Sequence, residues 1–372
     1  MCGTYITSGS PPFISRSGTV PMTLQSLHFS MVVGATMTLF CIYLLRPLAI
    51  HINLVDSPGG RKRHRYPVPL IGGVALFIGL CFALLALDIS LRDYRGLLAG
   101  SALLILIGVV DDFKELSPRI RLWGQFLAAV MLIAWGHLSF QKLGNAFSFG
   151  EISTGIFAFP LTILFVLGFI NAMNMIDGND GLAGSVALFQ TLFLAYLFYY
   201  FHQWMDFYVL SIFSVLLLVF LLFNFPVPWR KHPSIFMGDA GSTFIGFFIA
   251  WFAIGISQIM LATVSLHRGF NGMTVIWILA YPLYDLMIVT VHRIFSGRSP
   301  LKAARDHLHH LLIDAGLSRT LVTMVLLSFS VFLGVLGIVL ANFNISESRQ
   351  LFIFGSAFIV YWLVRQYTQT TP

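Results

Sequence analysis

Residues 155–201 read GIFAFPLTILFVLGFINAMNMIDGNDGLAGSVALFQTLFLAYLFYYF. An apolar run over 155–173 and another over 181–201 are each long enough to cross about 30 Å of hydrocarbon as helix. Between them Asn174, Asp177 and Asp180 recur every three residues, and Gly178 and Gly181 interrupt the helical pattern. Polar, broken backbone at the edge of a bilayer is tolerated where it lines a cavity. This stretch therefore predicts two membrane spans joined by a polar, functional turn.

The same pattern extends along the whole chain. Apolar runs also cover 29–50, 69–88, 95–110, 121–138, 207–225, 241–260, 272–294, 320–342 and 350–368, giving eleven expected spans. The predicted fold class is an all-α polytopic integral membrane protein. Of 372 residues 57% are hydrophobic and 10% charged, against roughly 25% charged for a soluble domain. That composition excludes a soluble enzyme and a nucleic-acid-binding domain. Eleven spans leave no room for a second folded domain, so 29–372 is expected to be one polytopic unit. Residues 1–28, rich in Gly, Ser, Pro and Thr, read as a disordered tail and not as a cleaved signal; Met22 and Met31 are alternative starts. Three cysteines, Cys2, Cys41 and Cys81, give no disulfide framework.

If every run crosses, consecutive loops alternate sides. The side holding Arg61, Lys62, Arg63 and Arg65 then carries sixteen of the 22 Lys and Arg residues. Basic loops stay cytoplasmic, so the N-terminus is expected outside and the C-terminus in the cytoplasm. The same parity puts Asp111, Asp112, Glu115, Asp177, Asp180, Asp239 and Asp306 on the cytoplasmic face, with Asp285 in the inner half of span 9. Ionisable groups at membrane depth are expensive and functional by default.

Four segments carry the chemistry. Asp111 and Asp112 end span 3; a continued helix would put Asp111 and Glu115 on one face, and a divalent cation would relieve the carboxylate repulsion, the bland alternative being a solvated helix end. Asn174, Asp177 and Asp180 supply the oxygen ligands a hard cation such as Mg²⁺ prefers, the bland alternative being an Asx-rich turn capping span 6. Asp239, in Phe236-Met237-Gly238-Asp239-Ala240-Gly241-Ser242 at the start of span 8, lies among small residues that allow close backbone approach; an N-cap role is the commoner reading. His307, His309 and His310 follow Arg305 and Asp306. They are better suited to donating to phosphate oxygens than to a zinc site, for which no Cys lies nearby. Oxygen ligands, basic partners and lipid-facing walls together describe phosphoryl transfer from a soluble donor to a lipid acceptor, where positioning and charge neutralisation do most of the catalysis.

With Arg61-Lys62-Arg63-His64, Pro69-Leu70-Ile71-Gly72-Gly73, Asp111-Asp112, Asn174 to Leu182, Phe236 to Ser242 and His307 to Leu311 in order along the chain, the sequence resembles the polyprenyl-phosphate N-acetylhexosamine-1-phosphate transferases, glycosyltransferase family 4. It looks closest to the bacterial undecaprenyl-phosphate branch that transfers GlcNAc-1-phosphate. The resemblance implies a bacterial inner-membrane enzyme with a cytoplasmic active site. It would take a UDP-N-acetylhexosamine and undecaprenyl phosphate, release UMP, and start O-antigen, enterobacterial common antigen or another envelope polysaccharide. It further implies that Asp239 and Asn174 hold Mg²⁺, with Mn²⁺ as a substitute, and that Asp111 and Asp112 orient or deprotonate the lipid phosphate. Asp177 would sit beside the diphosphate. Phe236 would stack on uracil, and Asn224 and Asp180 would hold the uridine. Arg63, His64, Arg305, His307, His309 and His310 would bind phosphate or sugar. Glu115 departs from the aspartate common at that position and is given no essential role. Another UDP-N-acetylhexosamine or UDP-MurNAc-pentapeptide as donor, direct or two-step transfer, and a homodimeric assembly all stay open. An ion-coupled transporter is the reading of a different class; acids crowded on one face and the lack of an inverted repeat weigh against it.

Overall fold

The computed structural model describes residues 24–56, 67–226, 230, 232–263, 269–297 and 306–370. Within them the chain is almost wholly helical: α1 Leu24–His51, α2 Gly72–Leu85, α3 Arg95–Lys114, α4 Pro118–Gly136, α5 Ala158–Ile176, α6 Leu182–Tyr200, α7 Trp204–Asn224, α8 Gly238–Ala262, α9 Gly272–Ile278, α10 Ala280–Phe295, α11 Leu308–Asp314, α12 Arg319–Asn342 and α13 Glu347–Thr370. Two short strands, β1 Val55–Asp56 and β2 Val68–Pro69, pair antiparallel, Val55 opposite Pro69. The protein is an all-α polytopic membrane protein.

Each of the eleven apolar runs falls on helix, but not all in the expected form. Among the described residues, eight helices are long and apolar enough to cross a membrane. The run over 272–294 is not one straight span: it breaks at Leu279 into α9 and α10, bent by 77°. Pro282, in the first turn of α10, has no N–H to continue the ladder. Helix α2, 14 residues long, spans only about 21 Å at 1.5 Å per residue, short of the hydrocarbon thickness. Helix α4 starts earlier than expected, at Pro118, and so takes Arg119 and Arg121 into its first turn. Of the expected tail, residues 1–23 lie outside the described residues, and Leu24 to His28 form the start of α1.

Helix α8 is the axis of the bundle, with 94% of its apolar window buried inside the protein. Helices α2, α3, α5 and α6 pack around it. Such burial requires backbones to approach closely, and small residues supply it. A Cβ on Gly108 of α3 would lie 2.5 Å from the backbone nitrogen of Ala240 and 2.9 Å from its Cβ. Three elements of the polar site begin or end at the same end of this axis: α3 ends there, α5 gives way to α6 there, and α8 begins there.

Candidate active site

At that end a cavity of about 240 Å³ opens between α3, α4, α5, α8 and α10. Its walls include Asp111, Arg121, Asn174, Asp239, Arg293 and His307.

Asp239 stands in the first turn of α8, but it does not cap its own helix. Asp112 does so from α3: its Oδ1 accepts the Asp239 N–H at 2.8 Å and its Oδ2 the Ala240 N–H at 3.4 Å. The first N–H groups of a helix have no partner within it, so two acceptor contacts from Asp112 tie α3 to α8. They also use both oxygens of Asp112, which does not line the cavity. Gly238, at φ +73°, leaves the space, since a Cβ there would meet Asp112 Oδ2 at 2.5 Å. Released from capping, the Asp239 carboxylate accepts the amide of Asn174 at 2.7 Å; that amide also reaches Ser242 Oγ at 2.8 Å.

Asp111 faces the same space. It accepts the Leu116 N–H at 2.7 Å and Arg121 Nη1 at 3.1 Å, and Arg121 lies 3.6 Å from Asp239 Oδ2. One guanidinium thus bridges two carboxylates from different helices. The expected face shared by Asp111 and Glu115 does not form, because α3 stops at Lys114 and Glu115 takes a left-handed conformation, φ +46°.

The turn after α5 is braced by a side chain from α7. Gly181 precedes α6 at φ +74° with no side-chain cap. Its N–H donates to Asn224 Oδ1 at 3.0 Å, and the Asn224 amide donates to the Ile235 carbonyl, also at 3.0 Å. Asn224, expected to hold uridine, is buried and spent on this brace. Asp180 approaches Arg319 at 3.8 Å, and its carbonyl accepts the Thr323 hydroxyl. Asp177 is pushed well above the usual carboxylate range by burial and then by the charges of Asp239, Asp112 and Asp180. The four acids Asp111, Asp112, Asp177 and Asp239 therefore form one repulsive group, though they come from three segments.

The backbone of Phe236 is held by the segment that leads into α2. Its N–H donates to the Pro69 carbonyl at 2.8 Å and its carbonyl accepts the Gly72 N–H at 2.9 Å. Two segments 164 to 167 residues apart in the chain are thereby stitched into one rim.

The histidine segment closes the opposite wall. His307 and His310 line the cavity, whereas His309 is fully buried, its ring against the Cα of Gly178, where a Cβ would stand 3.1 Å from Cε1. Arg293 clamps Asp306 bidentately, Nε to Oδ2 at 2.9 Å and Nη2 to Oδ1 at 2.5 Å. Burial alone would raise Asp306, but the Arg293 guanidinium holds its carboxyl below the usual range. Arg63, His64 and Arg305 lie outside the described residues. Sequence reasoning did not single out Arg121, Arg293, Gln125 or Asn171 as site residues, yet all four line the cavity. Asn171 donates to Gln125 Oε1 at 2.6 Å, a pair of polar side chains on otherwise apolar helix faces.

Among the described residues, no three His, Cys, Asp or Glu side chains converge as a preformed metal cage. The donor set fits Mg²⁺ nonetheless, because Mg²⁺ binds through one or two carboxylates and takes its remaining ligands from phosphate and water. Asp239 and Asp111, with Asn174, are oxygen donors of that kind on one cavity wall.

The sequence family described as glycosyl transferase family 4 matches residues 94–257, which include the carboxylates of α3, the α5–α6 turn and α8. The undecaprenyl-phosphate alpha-N-acetylglucosaminyl 1-phosphate transferase of Yersinia pestis is 32% identical over 343 residues, covering 91% of this chain and 92% of that protein. The proteins of the same name from Escherichia coli K12 and Haemophilus influenzae are 30% and 33% identical, the first covering 91% of both chains, the second 89% of this chain and 90% of its own. With likeness of this extent running through the helices that carry the acids, the chain belongs to glycosyl transferase family 4.

Proposed function

We propose that the protein transfers a sugar-1-phosphate, GlcNAc-1-phosphate in the first instance, from a UDP-sugar to undecaprenyl phosphate, releasing UMP. The observation that carries this reading is the pairing of Asp239 and Asp111 across Arg121, beside Asn174, in a cavity whose far wall holds Arg293 and His307. Acids bridged by Arg121 on one side and nitrogen-bearing side chains on the other suit two anionic substrates. The names of the relatives support the same donor and acceptor.

In the reaction an oxygen of the lipid phosphate forms a bond to the sugar-bearing phosphorus, and the bond from that phosphorus to the bridging oxygen breaks, so that oxygen leaves with UMP. One diphosphate replaces another, and the equilibrium lies near balance. Bound Mg²⁺, or Mn²⁺ in its place, supplies charge neutralisation between the phosphates; Asp239 and Asn174 would hold it. Arg121 keeps Asp111 and Asp239 at a fixed separation, and Asp111 deprotonates or orients the attacking phosphate. Asp112 sets the height of α8, and with it the position of Asp239. His310 and Arg305 offer N–H donors to the diphosphate or sugar, His307 offers a ring nitrogen to the donor, and Phe236 stacks on uracil. The excess of basic residues on the site's side of the chain supports an active site on the cytoplasmic face of a bacterial inner membrane, with the product opening synthesis of an envelope polysaccharide.

The test is transfer by purified protein in detergent or nanodiscs, with undecaprenyl phosphate, Mg²⁺ and a panel of UDP-sugars, following UMP and lipid-linked product. Product from UDP-GlcNAc that disappears in EDTA is the expected result. Product from another donor would change the sugar and keep the chemistry; undiminished product in EDTA would remove the metal from the account.

A further inference from the structure

A second polar cluster lies behind the histidine wall, centred on a carboxylate with no role in the reading above. Asp285, in the middle of α10, is 1% exposed. Its Oδ2 is 2.6 Å from His307 Nδ1. Its Oδ1 accepts the Tyr361 hydroxyl at 3.0 Å and the Leu308 N–H at 3.2 Å. Burying a carboxylate costs heavily unless donors surround it, and here three elements, α10, α11 and α13, contribute to one acid.

The surroundings fix the ring as well. Arg365 of α13, fully buried, donates through Nε and Nη2 to the Asp306 carbonyl at 3.2 and 3.0 Å, holding the backbone just before His307. Arg293 clamps the Asp306 side chain, whose Oδ1 stands 3.9 Å from His307 Nε2. His309 stacks parallel to His307 at 5.9 Å.

The Leu308 N–H can only donate, so Asp285 Oδ1 is an acceptor; an ionised Asp285 accepts at Oδ2 as well, which puts the proton of the 2.6 Å contact on Nδ1 of the imidazole. His307 lines the cavity, and with Nδ1 engaged behind, the nitrogen left for a ligand is Nε2. Partners behind a functional histidine commonly set its tautomer and orientation in this way.

We propose that Asp285 is a positioning residue: it holds His307 in the Nδ1-protonated form and presents the bare Nε2, a hydrogen-bond acceptor, to a hydroxyl of the donor. This rests on the transferase reading. It gives α13 a task beyond spanning the bilayer, since Tyr361 orients Asp285 and Arg365 anchors the segment that carries His307.

Asp285→Asn keeps the shape of the side chain while letting an amide N–H turn toward Nδ1, which would drive the proton to Nε2. The expected kcat/KM for the UDP-sugar falls on the order of 100-fold, and His307→Ala falls at least as far. The double variant Asp285→Asn, His307→Ala is expected to be no slower than His307→Ala alone, because Asp285 acts only through that ring. A purely structural aspartate would instead make the two losses multiply, which would overturn the proposal, as would wild-type kcat/KM in Asp285→Asn. Should Asp285→Asn fail to fold, ¹⁵N-histidine NMR of the wild-type protein decides the matter, with His307 assigned by loss of its signal in His307→Gln. A protonated Nδ1 is expected; a bare Nδ1 overturns the proposal. A wild-type protein inactive with every UDP-sugar would instead count against the transferase reading, and the NMR result would still decide the Asp285–His307 pairing.

Discussion

Gly108→Ala adds one methyl group on the cavity wall where α3 meets α8 and should disable the enzyme. The new Cβ would stand 2.5 Å from Ala240 N and 2.9 Å from Ala240 Cβ, whereas non-bonded heavy atoms settle near about 3.5 Å. Both obstructing atoms belong to the buried first turn of α8, with no flexible side-chain end to yield. Helices α3 and α8 must therefore separate by roughly 1 Å. The hydrogen bond from the Asp239 N–H to Asp112, 2.8 Å long, would stretch to about 3.8 Å, beyond useful range. Asp239 would move relative to Arg121 and Asp111 by the same amount. Overpacking of this kind costs about 1–3 kcal/mol of stability, and a displacement of about 1 Å at a reacting site can cost on the order of 100-fold in rate. The assay is turnover of purified Gly108→Ala alongside its thermal midpoint in detergent. Gly355→Ala serves as control, because its Cβ would meet nothing within 4 Å. A protein that remains folded but is about 100-fold slower is expected. Wild-type turnover and wild-type stability in Gly108→Ala would refute the claim that the α3–α8 contact sets the site.

Other consequences follow from the same geometry. Arg121→Leu removes the cation shared by Asp111 and Asp239; charge-assisted hydrogen bonds of about 1.5–3 kcal/mol correspond to a 10- to 100-fold loss of turnover, read in the transfer assay. Asp177 is held above the ordinary carboxylate value, so the stability its neutral form contributes is complete below about pH 4 and fades as pH rises through the elevated value. Asp177→Asn should accordingly raise the thermal midpoint in EDTA at pH 8 and have little effect near pH 4; an unchanged midpoint at pH 8 would contradict the crowding described above. Asn224→Ala strips partners from the Gly181 N–H and the Ile235 carbonyl and should cost about 1–3 kcal/mol for each group left buried, measured by thermal unfolding; no loss of stability would restore Asn224 as a candidate ligand contact.

The composition and the apolar runs were enough to read the fold class, because a bilayer leaves a backbone few options. The break at Leu279 was not legible: Pro282 lies within an otherwise uninterrupted apolar run, and only packing decides whether such a run bends. At the site, the acids could be named from their clustering, but their division of labour could not. Asp111 and Asp112 are neighbours in sequence, yet one faces the cavity and the other caps α8, a difference that depends on where a helix 127 residues later places its first N–H. Likewise Asn224 looked like a ligand contact because a buried brace and a binding group use the same amide. Arg121 and Asp285 carried no local motif. Their partners, Asp239 and His307, lie 118 and 22 residues away, and only the fold brings them within reach.

The central claim is that Asp239 anchors a divalent cation used in phosphoryl transfer. Electron paramagnetic resonance of Mn²⁺ added to purified protein with UDP-GlcNAc tests it most directly, comparing wild type with Asp239→Ala in parallel with turnover. The account predicts protein-bound Mn²⁺ in the wild type, and loss of both the bound signal and the activity in a folded Asp239→Ala. Equal Mn²⁺ binding and equal turnover in the two proteins would contradict it.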